Sequence, residues 1–266
     1  MARQDSEVTR SHIAESVESA EAAPAQTLES TARAAIGLVA PFDLELDREL
    51  WRWMPDSVDL LITRTPRTED TAVTVDFVRE LAEPGGLADA VRAVTAGRAE
   101  VVAYACTSAS FVNGPAGEAK IRTTMEAAGA HQAVTTSGAI LEALAALGAA
   151  RVALVTPYLE DLSELFVEFL SQNDIEVVQH LAMGEQSEIW NVSYARTTAL
   201  VQAADRDDAD AIVLACTNLP SFDLIAELER ELGKPVISAN QATMWAALGR
   251  LGQTANGPEQ ALIART

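Results

Sequence analysis

The sequence predicts an α/β protein with two pseudo-symmetric lobes, each a parallel sheet flanked by helices. Three observations predict it. Near-continuous Val/Ile/Leu runs alternate with amphipathic helical stretches, the signature of strands buried on both faces. An apolar run, then Ala-Cys-Thr, then a Phe occurs twice, in VVAYACTSASF (101–111) and AIVLACTNLPSF (211–222). The runs AIGLVAPF and RVALVTPY both end in Pro and an aromatic residue, so a second half begins near Arg151.

The elements follow in order. Residues 1–34 are rich in acids, Ser and Ala and hold few large apolar side chains, so a disordered or marginally helical tail is expected. AIGLVAP (35–41) and VDLLITRTP (58–66) read as strands, and TVDFVRELAEPGGLADAVRAVTAG (74–97) as one helical stretch. The strand EVVAYAC (100–106) precedes NGPAG (113–117), read as a turn beside the pocket, and the helix AILEALAALG (139–148). The second half repeats the alternation: strands ARVALVTPY (150–158), IEVVQH (175–180), DAIVLAC (210–216) and KPVISAN (234–240), with helices DLSELFVEFLSQN (161–173) and FDLIAELERELG (222–233). Lobes are therefore expected over 35–146 and 147–238. Residues 239–266 are expected to form a C-terminal helix returning to the first lobe, and a tail.

Composition narrows the function. The 266 residues, 48% hydrophobic, suffice for a sizeable core. Against 19 basic residues stand 39 acidic ones, a formal charge of -20, which opposes phosphate backbones and anionic lipid; neither nucleic acid nor membrane is expected as a partner. No apolar run approaches the ~20 residues of a membrane span. The N-terminus lacks a basic segment followed by an apolar one, so a cytoplasmic address with reduced thiols is expected. His12, His131 and His180 are scattered without metal-ligand spacing, and no phosphate-binding glycine motif occurs, so neither metal nor organic cofactor is expected. Trp51, Trp53, Trp190 and Trp245 read as core or interface residues, with Trp190 also placed to roof a cleft.

Cys106 and Cys216 are the only cysteines, 110 positions apart, each at the carboxyl end of an expected strand. Ligands of open α/β sheets bind outside such ends. A helix start after each cysteine offers N–H groups for a carboxylate, and Thr107, Ser108, Thr217 and Asn218 add side-chain donors. Two opposed thiols make an acid and a base on opposite faces of one small acid. A thiol near pKa 8.5 is only about 3% ionised at pH 7, and one helix dipole supplies ~0.3–1 kcal/mol, so hydroxyl donors or substrate must supply the rest. The bland alternative, a cysteine as small buried hydrophobe, suits a lone residue better than a matched pair.

The segments LVAP, ACTSASFVNGPAG, RVALVTPYLEDLSELFVEFL and the run from DAIVLACTNLPSF to AALGRLG resemble the aspartate/glutamate racemase superfamily, in its maleate isomerase and arylmalonate decarboxylase branch, over about four fifths of the chain. The resemblance implies two lobes related by a pseudo-dyad, no cofactor, and homodimers or higher homo-oligomers. It implies that Cys106 stands where decarboxylases carry Gly, that Cys216 is the cysteine all branches retain, and that both act in isomerisation or racemisation. It gives Thr107, Ser108 and Tyr158 to a substrate carboxylate and Pro41 to the cleft wall. Leu44 departs from the Asn of maleate isomerases, so Asn191 is a candidate replacement contact. Asp43 is read first as a helix N-cap and otherwise as an acid repelling a dianion. The expected activity is maleate-type cis-trans isomerisation. An arylmalonate-type decarboxylase, an ectoine-catabolism racemase or isomerase and a non-catalytic small-acid binder are its alternatives.

Overall fold

A computed structural model describes residues 33–68, 72–257 and 259–265; His12 and nearly all of the expected 1–34 tail lie outside these. Two four-stranded, all-parallel sheets organise the chain. The first contains β1 (Ala34–Ala40), β2 (Val58–Arg64), β3 (Val101–Tyr104) and β4 (Gln132–Thr135), in the order β2-β1-β3-β4. The second contains β5 (Arg151–Thr156), β6 (Glu176–Ala182), β7 (Ala211–Leu214) and β8 (Val236–Ser238), in the order β6-β5-β7-β8. The orders are the same: in each half the second strand lies at the edge and the third beside the first. This matches the α/β class and the paired parallel sheets that the recurrence predicts.

Burial explains the strand sequences. Central β3 and β7 are buried at every residue and read as unbroken apolar runs, whereas edge strands β2 and β6 are partly exposed and carry Asp59, Thr63, Gln179 and His180. β4, QAVT, is absent from the sequence reading because four residues with polar ends give no apolar run.

The helices are α1 (Asp47–Leu50), α2 (Val75–Leu81), α3 (Pro84–Ala96), α4 (Thr107–Phe111), α5 (Gly114–Ala127), α6 (Thr136–Leu147), α7 (Glu160–Ser171), α8 (Tyr194–Ala204), α9 (Phe222–Leu232) and α10 (Ala239–Arg250). The single stretch expected at 74–97 is two helices. Pro84 has no N–H to give the preceding turn and instead occupies the first position of α3. NGPAG is likewise not a free turn: its Gly-Pro opens α5, which buries Glu118, Ile121 and Met125. α6 begins on the Thr135 hydroxyl, which accepts from the Gly138 N–H, and ends at Gly148, φ +69°. α10 begins on a reciprocal Ser238–Gln241 box and packs on α6, β3 and β4 as well as on β8. Linking the two halves, the Phe111 ring of α4 stacks on Phe166 of α7 at 4.5 Å, with Tyr158 against Phe111 and Phe169 against Phe166.

Candidate active site

The carboxyl ends of both sheets converge on one cavity. From the first half come Pro41 and Asp43 after β1, Val73 and the α2 residues Phe77 and Leu81, and Cys106, Thr107 and Ser108 after β3. From the second come Tyr158 after β5, Ile189, and Cys216, Thr217 and Asn218 after β7. The cysteines thus occupy equivalent places, each two residues beyond the third strand of its half. The cavity encloses about 30 Å³. Alone that holds one or two waters. A second chamber of about 220 Å³ adjoins it, sharing Asp43, Val73, Ile189 and Asn218 and adding Glu45, Ser187, Glu188 and Trp190. Over this outer chamber the Val73 N–H donates to the Gln186 carbonyl at 2.7 Å, tying the segment after β2 to the one after β6.

The two cysteine loops differ in backbone. Cys106 is extended (φ -141°) and leads straight into α4, only five residues long. Cys216 sits at φ +84°, a region that costs a side-chain-bearing residue on the order of 1–3 kcal/mol, and α9 starts only six residues later. The expected helix start after each thiol therefore exists at Cys106 alone, and there it is too short for a large dipole. Local donors take its place. The Asn218 N–H lies 3.3 Å from the Cys216 sulfur, and the Ser108 hydroxyl 3.8 Å from that of Cys106.

Burial dominates the electrostatics. Cys106 is 4% and Cys216 9% exposed. Desolvation pushes the Cys106 thiol up to about 11 and the Cys216 thiol up to about 12, against partial relief from local donors. Both thiols are therefore protonated at neutral pH, opposite in direction to the thiolate stabilisation expected from a helix start. Burial also keeps Tyr158 neutral, a phenol able to donate. Asp43 is raised too, chiefly by burial, with Glu45 adding to the shift and Arg64 opposing it. The Arg64 guanidinium is engaged elsewhere, donating to the Leu44 carbonyl and to Asp47. No Lys, Arg or His is among the described residues lining either chamber. A carboxylate here would be held by neutral donors.

Of the residues the sequence singles out, Cys106, Cys216, Pro41, Thr107, Ser108, Tyr158, Thr217 and Asn218 line the cavity. The buried Thr107 hydroxyl makes no well-formed hydrogen bond, although it lies close enough to the Tyr158 phenol to act on it, so the two face the cavity together. The Thr217 hydroxyl is committed to the Ala105 carbonyl (3.1 Å). The Asn218 side chain clamps the turn after β1, accepting from the Glu45 N–H and donating to the Asp43 carbonyl, both at 2.9 Å. Asn191 is not brought in. It is exposed, in a 3-10 turn whose buried member is Ile189, and Ile189 lines the cavity instead. Asp43 is no helix cap, since Leu46 occupies that position of α1, and it joins the cavity wall. Trp190 is 42% exposed and borders the outer chamber. Sequence reasoning missed the apolar wall of Val73, Phe77, Leu81 and Ile189. The amphipathic face of VDFVREL marks two of these as buried, but only tertiary packing aims them at the cysteines.

The chain is similar to known proteins in sequence and in fold. Residues 85–263 match the family profile described as arylmalonate decarboxylase. The chain is 32% identical over 162 residues to a maleate isomerase of Geobacillus stearothermophilus, covering 58% of this chain and 64% of that protein. It therefore spans a little under two thirds of that relative's length. It is 33% identical over 195 residues to the arylmalonate decarboxylase of Bordetella bronchiseptica, covering 71% of this chain and 75% of that one. Among solved structures it superposes, with TM-score 0.79 and 26% identity over 88% of this chain and all of the other, on a cysteine-to-serine mutant of the Nocardia farcinica maleate cis-trans isomerase holding a covalently bound succinylcysteine intermediate.

Proposed function

The chain belongs to the arylmalonate decarboxylase family, and on that premise we propose that it is a cofactor-independent isomerase that converts a small cis-unsaturated dicarboxylic acid, maleate or a close relative, to the trans form. The observation that carries this reading is the pair of thiols, one from each sheet, in the wall of one cavity whose other polar groups are neutral donors and a single acid. A lone cysteine suffices for proton delivery after decarboxylation. A second one, at the position where the decarboxylases carry Gly by resemblance, suits addition to an alkene.

In this mechanism the Thr107 hydroxyl, Ser108 and the Tyr158 phenol hold one substrate carboxylate. Cys106 passes its proton to a carboxylate oxygen, and its sulfur bonds to one alkene carbon. The alkene electron pair moves into the adjacent carboxylate as an enediolate, and the Cys216 thiol protonates the second carbon. The link between the two carbons is now a single bond and turns. Cys216 then recovers the proton, the carbon–sulfur bond breaks as the trans alkene forms, and Cys106 regains its own proton. Passing the Cys106 proton from a thiol near 11 to a carboxylate near about 4 costs on the order of 10 kcal/mol. That fits inside the roughly 16 kcal/mol barrier of a step running at ~10 s⁻¹. The succinylcysteine of the Nocardia protein is the kind of adduct this sequence requires.

A second reading, inversion at the carbon beside the carboxylate of a zwitterionic amino acid, is favoured by one feature. The outer chamber carries Asp43, Glu45 and Glu188 and no described cation, a field that suits a ligand ammonium. We further propose a cytoplasmic homodimer or higher homo-oligomer. Among the described residues no helix is long and apolar enough to cross a membrane. Proton NMR in deuterated water, with maleate, phenylmalonate and zwitterionic amino acids supplied separately, tests the assignment. Fumarate from maleate supports isomerisation, and deuterium gain at an amino acid's α-carbon shifts it to inversion. Carbon dioxide from phenylmalonate, or no exchange with any acid, overturns it.

A further inference from the structure

The loop that carries Cys216 is fastened at both ends to one buried carboxylate. Glu49, in α1 and 8% exposed, accepts from the Ser221 N–H at 3.0 Å, from the Ser221 hydroxyl at 2.9 Å and from the Asn240 amide at 3.1 Å. The same Asn240 Nδ2 donates to the Thr217 carbonyl at 2.9 Å. Facing two acceptors, that side chain must present its NH₂, which fixes the amide's orientation. Glu49 thus holds Ser221 directly and Thr217 through Asn240, at either end of the turn that begins at the left-handed Cys216.

The first half shows what the second replaces. There the carbonyl of the residue after the cysteine, Thr107, accepts from the hydroxyls of Ser110 (2.8 Å) and Ser137 (3.1 Å). Ser137 and Asn240 are the second residues of α6 and α10, the helices that follow the fourth strand of each sheet. The same carbonyl is therefore gripped from the same helical position in both halves. Only in the second half does the grip continue to a carboxylate on another element, and only there does the cysteine hold a positive φ. A strained residue persists where its surroundings over-determine it.

We infer that Glu49 is a positioning residue: through Asn240 and Ser221 it holds the Cys216 backbone in its left-handed conformation and so aims the thiol into the cavity. The inference rests on the reading of Cys216 as a working thiol, but the state of the loop is measurable without turnover. In Glu49→Gln an NH₂ replaces one carboxylate oxygen and meets the donors of Ser221 or Asn240, leaving at least one buried donor unsatisfied. Site-resolved iodoacetamide labelling at pH 8.5, read by mass spectrometry on wild type and variant, is the test. Cys216 is expected to label about tenfold faster in the variant with Cys106 within twofold of wild type, and kcat to fall with KM held within twofold. General loosening would raise both cysteines together. Equal labelling changes, or none, overturn the inference whether or not the protein isomerises any acid. Asn240→Ala, which cuts the link to Thr217 while keeping Ser221 on Glu49, gives the same selective change by a second route if Glu49→Gln does not fold. Selective labelling in a protein inactive on every acid leaves Glu49's role standing and removes the functional proposal alone.

Discussion

Replacing Asp43 with Asn measures how the cavity's own charge acts on its ligand. Asp43 stands in both chambers, and the cation that opposes its shift, Arg64, is bonded to Leu44 and Asp47. A substrate carboxylate ~6 Å from an ionised Asp43 is repelled by about 0.7 kcal/mol at an effective dielectric of 80 and about 2.8 kcal/mol at 20. Asn keeps the size and removes the charge. KM for maleate is therefore expected to fall between about threefold and about 100-fold. The charge of Asp43 also raises both thiols, so the variant should form thiolate at lower pH. Initial rates against maleate concentration and thiolate absorbance against pH read the two effects. If the inversion reading holds, the same variant weakens binding of the zwitterion, since the ammonium loses its counter-charge. A variant whose maleate KM and thiolate titration both stay within twofold of wild type would show that Asp43 carries no charge into the site.

The remaining expectations concern the thiols and the core. Cys216→Ser, incubated with maleate, should trap an adduct on Cys106 seen by intact mass as the addition of one substrate molecule, while Cys106→Ser should trap none; adduct in the second variant would reverse the assigned roles. Both thiols lie above their ordinary value of 9.0 in the folded protein, so their contribution to stability is full below about pH 9 and is lost as pH rises through 11 and 12. The rises to about 11 and about 12 correspond to at most roughly 3 and 4 kcal/mol. The urea midpoint should therefore fall more steeply between pH 9 and 11 in wild type than in the Cys106→Ser/Cys216→Ser double variant, and parallel curves would contradict the burial argument. Phe111→Ala removes a fully buried ring stacked on Phe166 and should destabilise by about 3–5 kcal/mol in chemical denaturation. A loss under about 1 kcal/mol would mean that the two halves do not rely on that stack.

Residue type and period determined a good deal here. The buried strands announce themselves because a parallel strand covered on both faces must be apolar where it is covered, and β1, β3, β7 and the Val152–Val155 interior of β5 are. The repeated Ala-Cys-Thr was legible for the same reason, since a thiol and a hydroxyl directly after such a run stand at a sheet's carboxyl end. Short β4 and polar-surfaced α5 and α8 escaped because their burial comes from neighbours rather than from their own pattern. Tertiary structure alone decided the state of the site. Desolvation depends on what packs over a residue, and it raised both thiols, where the sequence offered only a marginal helix-start stabilisation of a thiolate. It drew Asp43 into the wall and left Asn191 outside. It also bent Cys216 into a positive φ held by Glu49, 167 positions earlier in the chain, a contact no local pattern encodes.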